Sequence, residues 1–279
     1  MPVLGLSNKA TEEDSTETFL DTLSTPPLED HLSRYTLSPE LDKIYSHPSE
    51  IISISSSHSG SLIATTCKSS SPEHAVLRIF ETSTFTEIAV LPAHTLTVVK
   101  VAWSPNDEYL ISVGRDRQWS MFDTKTWKLI KTVPKAHARI IWDVSVAPLE
   151  FGNIFMTASR DKTVKIWDGG KGWECTCTIK FPESVTACAF LQDLAGDFGI
   201  AAVGLENGAI CLLGCEKGSG QWKILKAFDD RLTHSESVTG LAWRPCSRNG
   251  QWELASCGDD CSVRIYEVGI SSKLTTNGS

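Results

Sequence analysis

His137-Ala138-Arg139-Ile140-Ile141-Trp142-Asp143-Val144-Ser145-Val146-Ala147-Pro148 and, after a short gap, Ile154-Phe155-Met156-Thr157-Ala158-Ser159-Arg160-Asp161-Lys162-Thr163-Val164-Lys165-Ile166-Trp167-Asp168 decide the fold of this chain. Ile141 to Val146 follows the two-residue period of a half-buried strand and stops at Pro148, which cannot donate to a sheet ladder. Ile154 to Ser159 reads as a second strand. Arg160-Asp161-Lys162-Thr163 is a tight turn, Val164 to Asp168 a third strand, and Cys175 to Ile179 a fourth.

The same pattern recurs on both sides. Upstream it runs from His94 through Val98-Val99-Lys100-Val101-Ala102-Trp103, Tyr109 to Val113 and Arg115-Asp116-Arg117-Gln118 to Trp119-Ser120-Met121-Phe122-Asp123. Downstream it runs from His234 through Val238 to Trp243, Leu254 to Cys257 and Asp259-Asp260 to Val263-Arg264-Ile265-Tyr266-Glu267. Weaker copies begin at His47 and at Val185; the second lacks both the His and the turn Asp. Third strands end at 80/81, 122/123, 167/168, 213/214 and 266/267, in steps of 42, 45, 46 and 53 residues. That period, with a closing Trp-Asp pair, marks the blades of a WD-repeat β-propeller, ~40–45 residues each. The fold class is therefore all-β: a WD40 β-propeller with five recognisable repeats. Seven blades are usual, so an incomplete seven-bladed ring is the expectation.

Each such sheet is apolar on both faces and must pack against a neighbour. Buried polar groups inside it need partners. In the best copy His137, Thr157 or Ser159, Asp161 and Trp167 are placed to form one hydrogen-bonded chain. His94 with Asp116, and His234 with Asp260, hold the matching positions. Phe122 and Tyr266 replace the Trp there, which predicts less rigid blades.

The expected organisation is an acidic flexible segment or loop over 1–42, repeats over 43–268 (about 47–81, 94–123, 137–168, 185–214 and 234–267) and a flexible tail over 269–279. The net charge is −8, and residues 1–46 hold three cations against nine acids. The acidic balance argues against bulk nucleic-acid coating while allowing a local basic patch. No apolar run approaches the ~18 residues that cross a bilayer. The start, Met1 to Leu6, lacks a secretory signal's basic flank and apolar stretch. A cytoplasmic location is expected, with the nucleus as a second site, and no membrane contact.

Several strings carry a more selective resemblance: Pro2 to Ala10, Glu73-His74-Ala75, His94 to Val98, Arg115-Asp116-Arg117-Gln118-Trp119-Ser120, His137-Ala138-Arg139-Ile140-Ile141-Trp142 and Ser159-Arg160-Asp161-Lys162. They resemble the second-subunit family of the Elongator complex, scaffolds built of two consecutive WD propellers. The match covers nearly all of this chain and corresponds to the later part of the second propeller. The resemblance implies a non-catalytic scaffold that supports tRNA wobble-uridine modification. Its partners would be the large scaffold subunit and a separate catalytic subunit. A generic WD adaptor of another assembly, such as a ubiquitin-ligase substrate receptor, is the alternative, as is a truncated product without function.

Arg115, Arg117, Arg160 and Lys162 fall in the turns between second and third strands, and Arg139 in a loop before a first strand. Those loops share one rim of a propeller, so these five cations form the candidate partner-binding patch. The competing reading is local pairing of each Arg with a neighbouring Asp. An acidic loop of another subunit, or tRNA backbone, would suit the patch. Trp103 and Trp142 are assigned to packing between blades.

No catalytic site, cofactor, metal or small-molecule substrate is expected. Nine cysteines include no Cys-x2-Cys pair, only Cys175-x-Cys177, Cys211-x3-Cys215 and Cys257-x3-Cys261. No nucleophile elbow, P-loop or paired catalytic acids appear, and Gly169-Gly170-Lys171-Gly172 reads as a turn. A hydrolytic propeller would need acids or metal ligands clustered in its channel.

Overall fold

A computed structural model describes residues 43–193, 198–247 and 251–269. The expectations for 1–42 and nearly all of the 269–279 tail fall outside the described residues. The chain divides into two units, Met1–Tyr45 and Ser46–Ser279; the architecture below is that of the second.

Among the described residues, nineteen strands form five antiparallel sheets. Blade one holds β1 (Ile51–Ser56), β2 (Leu62–Cys67), β3 (Val76–Glu81) and β4 (Glu87–Pro92). Blade two holds β5 (Val98–Trp103), β6 (Tyr109–Gly114), β7 (Trp119–Asp123) and β8 (Leu129–Val133). Blade three holds β9 (Ile141–Val146), β10 (Ile154–Ser159), β11 (Thr163–Asp168) and β12 (Glu174–Lys180). Blade four holds β13 (Val185–Phe190), β14 (Phe198–Leu205), β15 (Ile210–Glu216) and β16 (Lys223–Ala227). Blade five holds three described strands, β17 (Val238–Trp243), β18 (Trp252–Gly258) and β19 (Val263–Val268). The Gly169–Lys171 turn is one short 3-10 segment, capped by the Asp168 carboxylate on Gly170 N–H.

First strands sit side by side in the order β1, β5, β9, β13, β17. Together they line one central channel of about 590 Å³ that contacts Ile52, Lys100, Trp142, Asp143, Thr186 and Thr239. The architecture is a partial β-propeller. No seam of comparable extent joins β17 to β1 among the described residues.

Each inner seam buries one blade's leading face on the next blade's trailing face. Between blades one and two, Leu77 and Ile79 meet Val98, Val101 and Trp103. Between two and three, Trp119 and Met121 meet Ile141, Val144 and Phe155, with the Trp119 ring 5.2 Å edge-on from Trp167. Between three and four, Val164 and Ile166 share a cluster with Val185, Phe190 and Leu213. Burial of this kind is the main stabilising term, roughly 25 cal/mol per Å² of apolar surface.

Polar ties reinforce the seams. Trp103 Nε1 donates to the Ser55 carbonyl at 3.2 Å, and Trp243 Nε1 to the Ala189 carbonyl at 3.0 Å. Cys188 N–H donates to Asp143 at 2.8 Å, and Phe190 N–H to Ser145 Oγ at 2.9 Å. Burial raises the pKa of Asp143, against the opposing pull of Lys100. The assignment of Trp103 to packing holds. Trp142 differs: it lines the channel and is half-buried.

Candidate functional site

The rim is built by the loops that precede each first strand and by the turns that join second to third strands. Backbone hydrogen bonds fix them to one another. Arg115 N–H donates to the Thr97 carbonyl and Arg160 N–H to the Ile140 carbonyl, both at 3.0 Å. His137 N–H reaches the Arg117 carbonyl of the preceding blade at 3.4 Å, and Phe181 N–H the Lys162 carbonyl at 2.8 Å. Arg115, Arg117, Arg139, Arg160 and Lys162 therefore lie along one continuous edge of blades two and three.

Beneath that edge, the turn acids point inward. In blade three, Trp167 Nε1 donates to Thr157 Oγ1 at 3.0 Å, and Thr157 Oγ1 lies 2.8 Å from His137 Nε2. His137 Nδ1 lies 2.9 Å from Asp161. The indole can only donate, so the Thr157 hydroxyl proton goes to Nε2 and Nδ1–H donates to the carboxylate. Ser159 takes a different part: its hydroxyl donates to the Ile140 carbonyl at 2.9 Å and accepts Asp161 N–H.

Burial lowers the pKa of His137, outweighing the nearby Asp161, so the ring is neutral. Burial alone would raise the Asp161 carboxyl. Hydrogen bonds from His137, Thr163 and Ala138 N–H outweigh that and hold it well below the usual carboxylate range.

Blade two repeats the set with His94, Asp116 at 3.1 Å and Ser112 at 2.8 Å. Blade five repeats it with His234, Asp260 at 2.8 Å and Ser256 at 2.7 Å. Phe122 fills the Trp position inside the seam, and Tyr266 instead sends its hydroxyl to the Leu232 carbonyl at 2.8 Å.

With the acids turned inward, the cations are left outside. Arg115, Arg117, Arg139 and Arg160 are exposed. None of the four has an ion pair among the described residues. Lys162 differs: it donates to the Pro182 carbonyl at 2.7 Å and pairs with Glu183 at 3.3 Å. Arg117 and Lys162 both take the left-handed conformation, φ 68° and 67°, where Gly208 stands in blade four. Beyond blade three the edge changes sign. Glu206 and Asp259 hold the places of Arg115 and Arg160, their backbone N–H groups donating to the Ser184 and Ser237 carbonyls, and Glu236 is exposed nearby.

Two features escaped the sequence reading. The β2–β3 connection, Lys68 to Ala75, is a serine-bearing loop beside Arg115 rather than a short turn. Its length against the turns of the other copies was the available signal. His47 reaches Thr65 Oγ1 at 2.7 Å as His137 reaches Thr157, but its Nδ1 meets no acid.

Among the described residues no group of His, Cys, Asp and Glu could hold a metal ion. All nine cysteines are free thiols, Cys188 and Cys211 buried. No helix among them is long and apolar enough to cross a membrane.

The WD domain, G-beta repeat family matches residues 85–123, 127–168 and 225–267. The chain is 38% identical to Elongator complex protein 2 of Saccharomyces cerevisiae, over 96% of this chain and 37% of that protein. It is 38% identical to Elongator complex protein 2 of Arabidopsis thaliana, over 88% of this chain and 31% of that protein. It is 30% identical to Elongator complex protein 2 of Homo sapiens, over 96% and 39%. The chain thus spans between about a third and two fifths of the length of these curated relatives. Repeating sheets and inward His–Asp pairs make the described unit a partial WD-repeat β-propeller, and the chain is similar to Elongator complex protein 2 over part of the length of those proteins.

Proposed function

We propose that this chain is a non-catalytic scaffold segment of an Elongator complex. It supports tRNA wobble-uridine modification by holding other subunits, and its edge at blades two and three grips an acidic surface of one of them. The observation that carries this reading is the separation of charge across the turns. Asp116 and Asp161 are turned inward onto His94 and His137, while Arg115, Arg117, Arg139 and Arg160 face solvent. Guanidinium groups suit bidentate grip on carboxylate, and rigidly positioned loops are where binding residues concentrate. Lys162 contributes less, since Glu183 already pairs with it. A protein surface fits better than a long RNA track, because the same edge turns acidic at Glu206, Glu236 and Asp259.

The test is charge reversal, Arg115→Glu with Arg139→Glu, in the full chain. Co-purification of the other subunits should fall while the circular dichroism spectrum stays unchanged. Undiminished co-purification would sink the docking reading. Retention of tRNA that collapses with added salt and with these substitutions would replace it with direct RNA contact.

A further inference from the structure

The loop that replaces the short turn in blade one has no part in the hydrogen-bonded set below the rim. The turns of blades two to five span 115–118, 160–162, 206–209 and 259–262, whereas the blade-one connection runs from 68 to 75. It brings no carboxylate to His47. Instead it encloses, with Arg115 of blade two, a recess of about 500 Å³ at the seam. Lys68, Ser69, Ser70, Ser71 and His74 line that recess together with Arg115.

Thr97 clasps the two sides of the recess. Ser69 N–H donates to Thr97 Oγ1 at 3.0 Å, and Thr97 N–H and Oγ1–H return to the Ser69 carbonyl at 3.0 and 2.8 Å. The Thr97 carbonyl in turn accepts Arg115 N–H at 3.0 Å. The loop is closed on itself by Ser69 Oγ, which donates to the Ser71 carbonyl at 2.7 Å. The backbone that carries Ser69, Ser71 and Arg115 is thus fixed before any ligand arrives, which lowers part of the entropic cost of binding.

The lining groups are rich in donors and poor in acceptors. Among the described residues, the Ser70 and Ser71 hydroxyls, the His74 ring and the Arg115 guanidinium have no hydrogen-bond partner in the protein. Among the described lining residues the one acid is Glu50, an exposed partner of Lys68 at 3.3 Å. Two cations, two hydroxyls and an imidazole around one hollow call for a compact group with several acceptor oxygens. A phosphate monoester offers three, with close to two charges at neutral pH. A carboxylate offers two. A phosphodiester chain is a poor occupant, because the cavity is a recess and not a track, and the edge beyond blade three is acidic.

We propose that this recess is a binding subsite for a phosphoserine or phosphothreonine side chain carried by a partner polypeptide. It goes beyond the docking edge and does not depend on it: only Arg115 is shared, and Lys68, Ser70 and Ser71 have no place in the edge.

Calorimetric titration of the full chain with N-acetyl-O-phosphoserine amide tests it, beside the unphosphorylated amide and a short oligouridylate. Saturable binding of the phosphorylated probe, at least about tenfold tighter than of the other two, is expected. Lys68→Ala with Ser70→Ala should weaken it by about tenfold, since charge-assisted bonds are lost. Arg139→Glu with Arg160→Glu, which disables the docking edge alone, should leave most of it intact. All four side chains are exposed, so folding is preserved and circular dichroism checks it. Absence of saturable phosphoserine binding, indifference to Lys68→Ala with Ser70→Ala, or preference for the oligouridylate overturns the proposal.

Discussion

Val164-Lys165-Ile166-Trp167 in blade three and Val263-Arg264-Ile265-Tyr266 in blade five are nearly the same third strand, in opposite surroundings. Val164 and Ile166 pair with Ala158 and Met156, point at blade four and are at most 1% exposed. Val263 and Ile265 pair with Cys257 and Ala255 in the same register and are 73% and 71% exposed. The other end of the series mirrors this. Val98 with Val101, and Ile141 with Val144, are buried against a preceding blade, while Ile51 and Ile54 at the matching places are 51% and 68% exposed. The repeat writes the same apolar residues into every copy. Whether they stabilise anything depends on a neighbour being there, which is the physics of a quasi-one-dimensional array. The two bare faces carry the side chains that an adjoining blade buries elsewhere in the molecule.

That contrast can be broken most directly by matched truncation. Ile166→Ala should cost about 2–5 kcal/mol in chemical denaturation, and Ile265→Ala within about 0.5 kcal/mol. Equal losses would mean that the end face is covered in solution. A glycine pair sharpens the point. Gly208 (φ 88°) and Gly218 (φ 82°) both take the left-handed region. A Cβ on Gly208 would meet the His234 carbonyl oxygen at 2.0 Å, while one on Gly218 meets nothing. Gly218→Ala should show only the left-handed penalty of about 1–2 kcal/mol. Gly208→Ala should exceed it by about 2 kcal/mol or more, because backbone at the blade four–five seam must shift.

Asp161→Ala probes what lies under the edge. It strips acceptors from His137 and from Ala138 N–H. A loss of about 2–3 kcal/mol is expected, against no more than about 0.5 kcal/mol for Arg160→Ala next to it.

The smallest effect is the acid limb of the stability curve. The folded pKa of His137 is lowered, so the unfolded chain takes up this proton first as pH falls below about 6.5. The folded pKa of Asp161 is also lowered. Its contribution is therefore present above about pH 4 and lost as pH falls further, through its depressed folded value. Denaturation midpoints should drift down from about pH 6.5 and more steeply below about pH 4. In Asp161→Ala the steeper part should shrink.

How much was legible follows from what each feature depends on. Strand alternation and the His, Thr, Asp and Trp positions of the best copy are local in sequence, and the copies recur at a near-constant step. The strands named in the three clear copies therefore fall within a residue or two of those observed. The choice of Thr157 over Ser159 was not legible, since both lie on one strand two residues apart and only the ring position selects between them. Lys162 looked like its arginine neighbours, but Glu183, which pairs with it, sits in the next blade's approach loop. The recess beside Arg115 was missed because its two halves lie in different blades and are joined through Thr97.

The sequence by itself determined five blade-like sheets, the inward histidine–aspartate pairs of three of them and a run of cations in the turns, because all are set by short-range period and turn chemistry. Only the tertiary structure decided which apolar faces are covered, which cations stay unpaired and which loops meet across a seam. Those outcomes depend on the packing of one sheet against another, and residues some 45 positions apart in the chain become neighbours only once the blades have stacked.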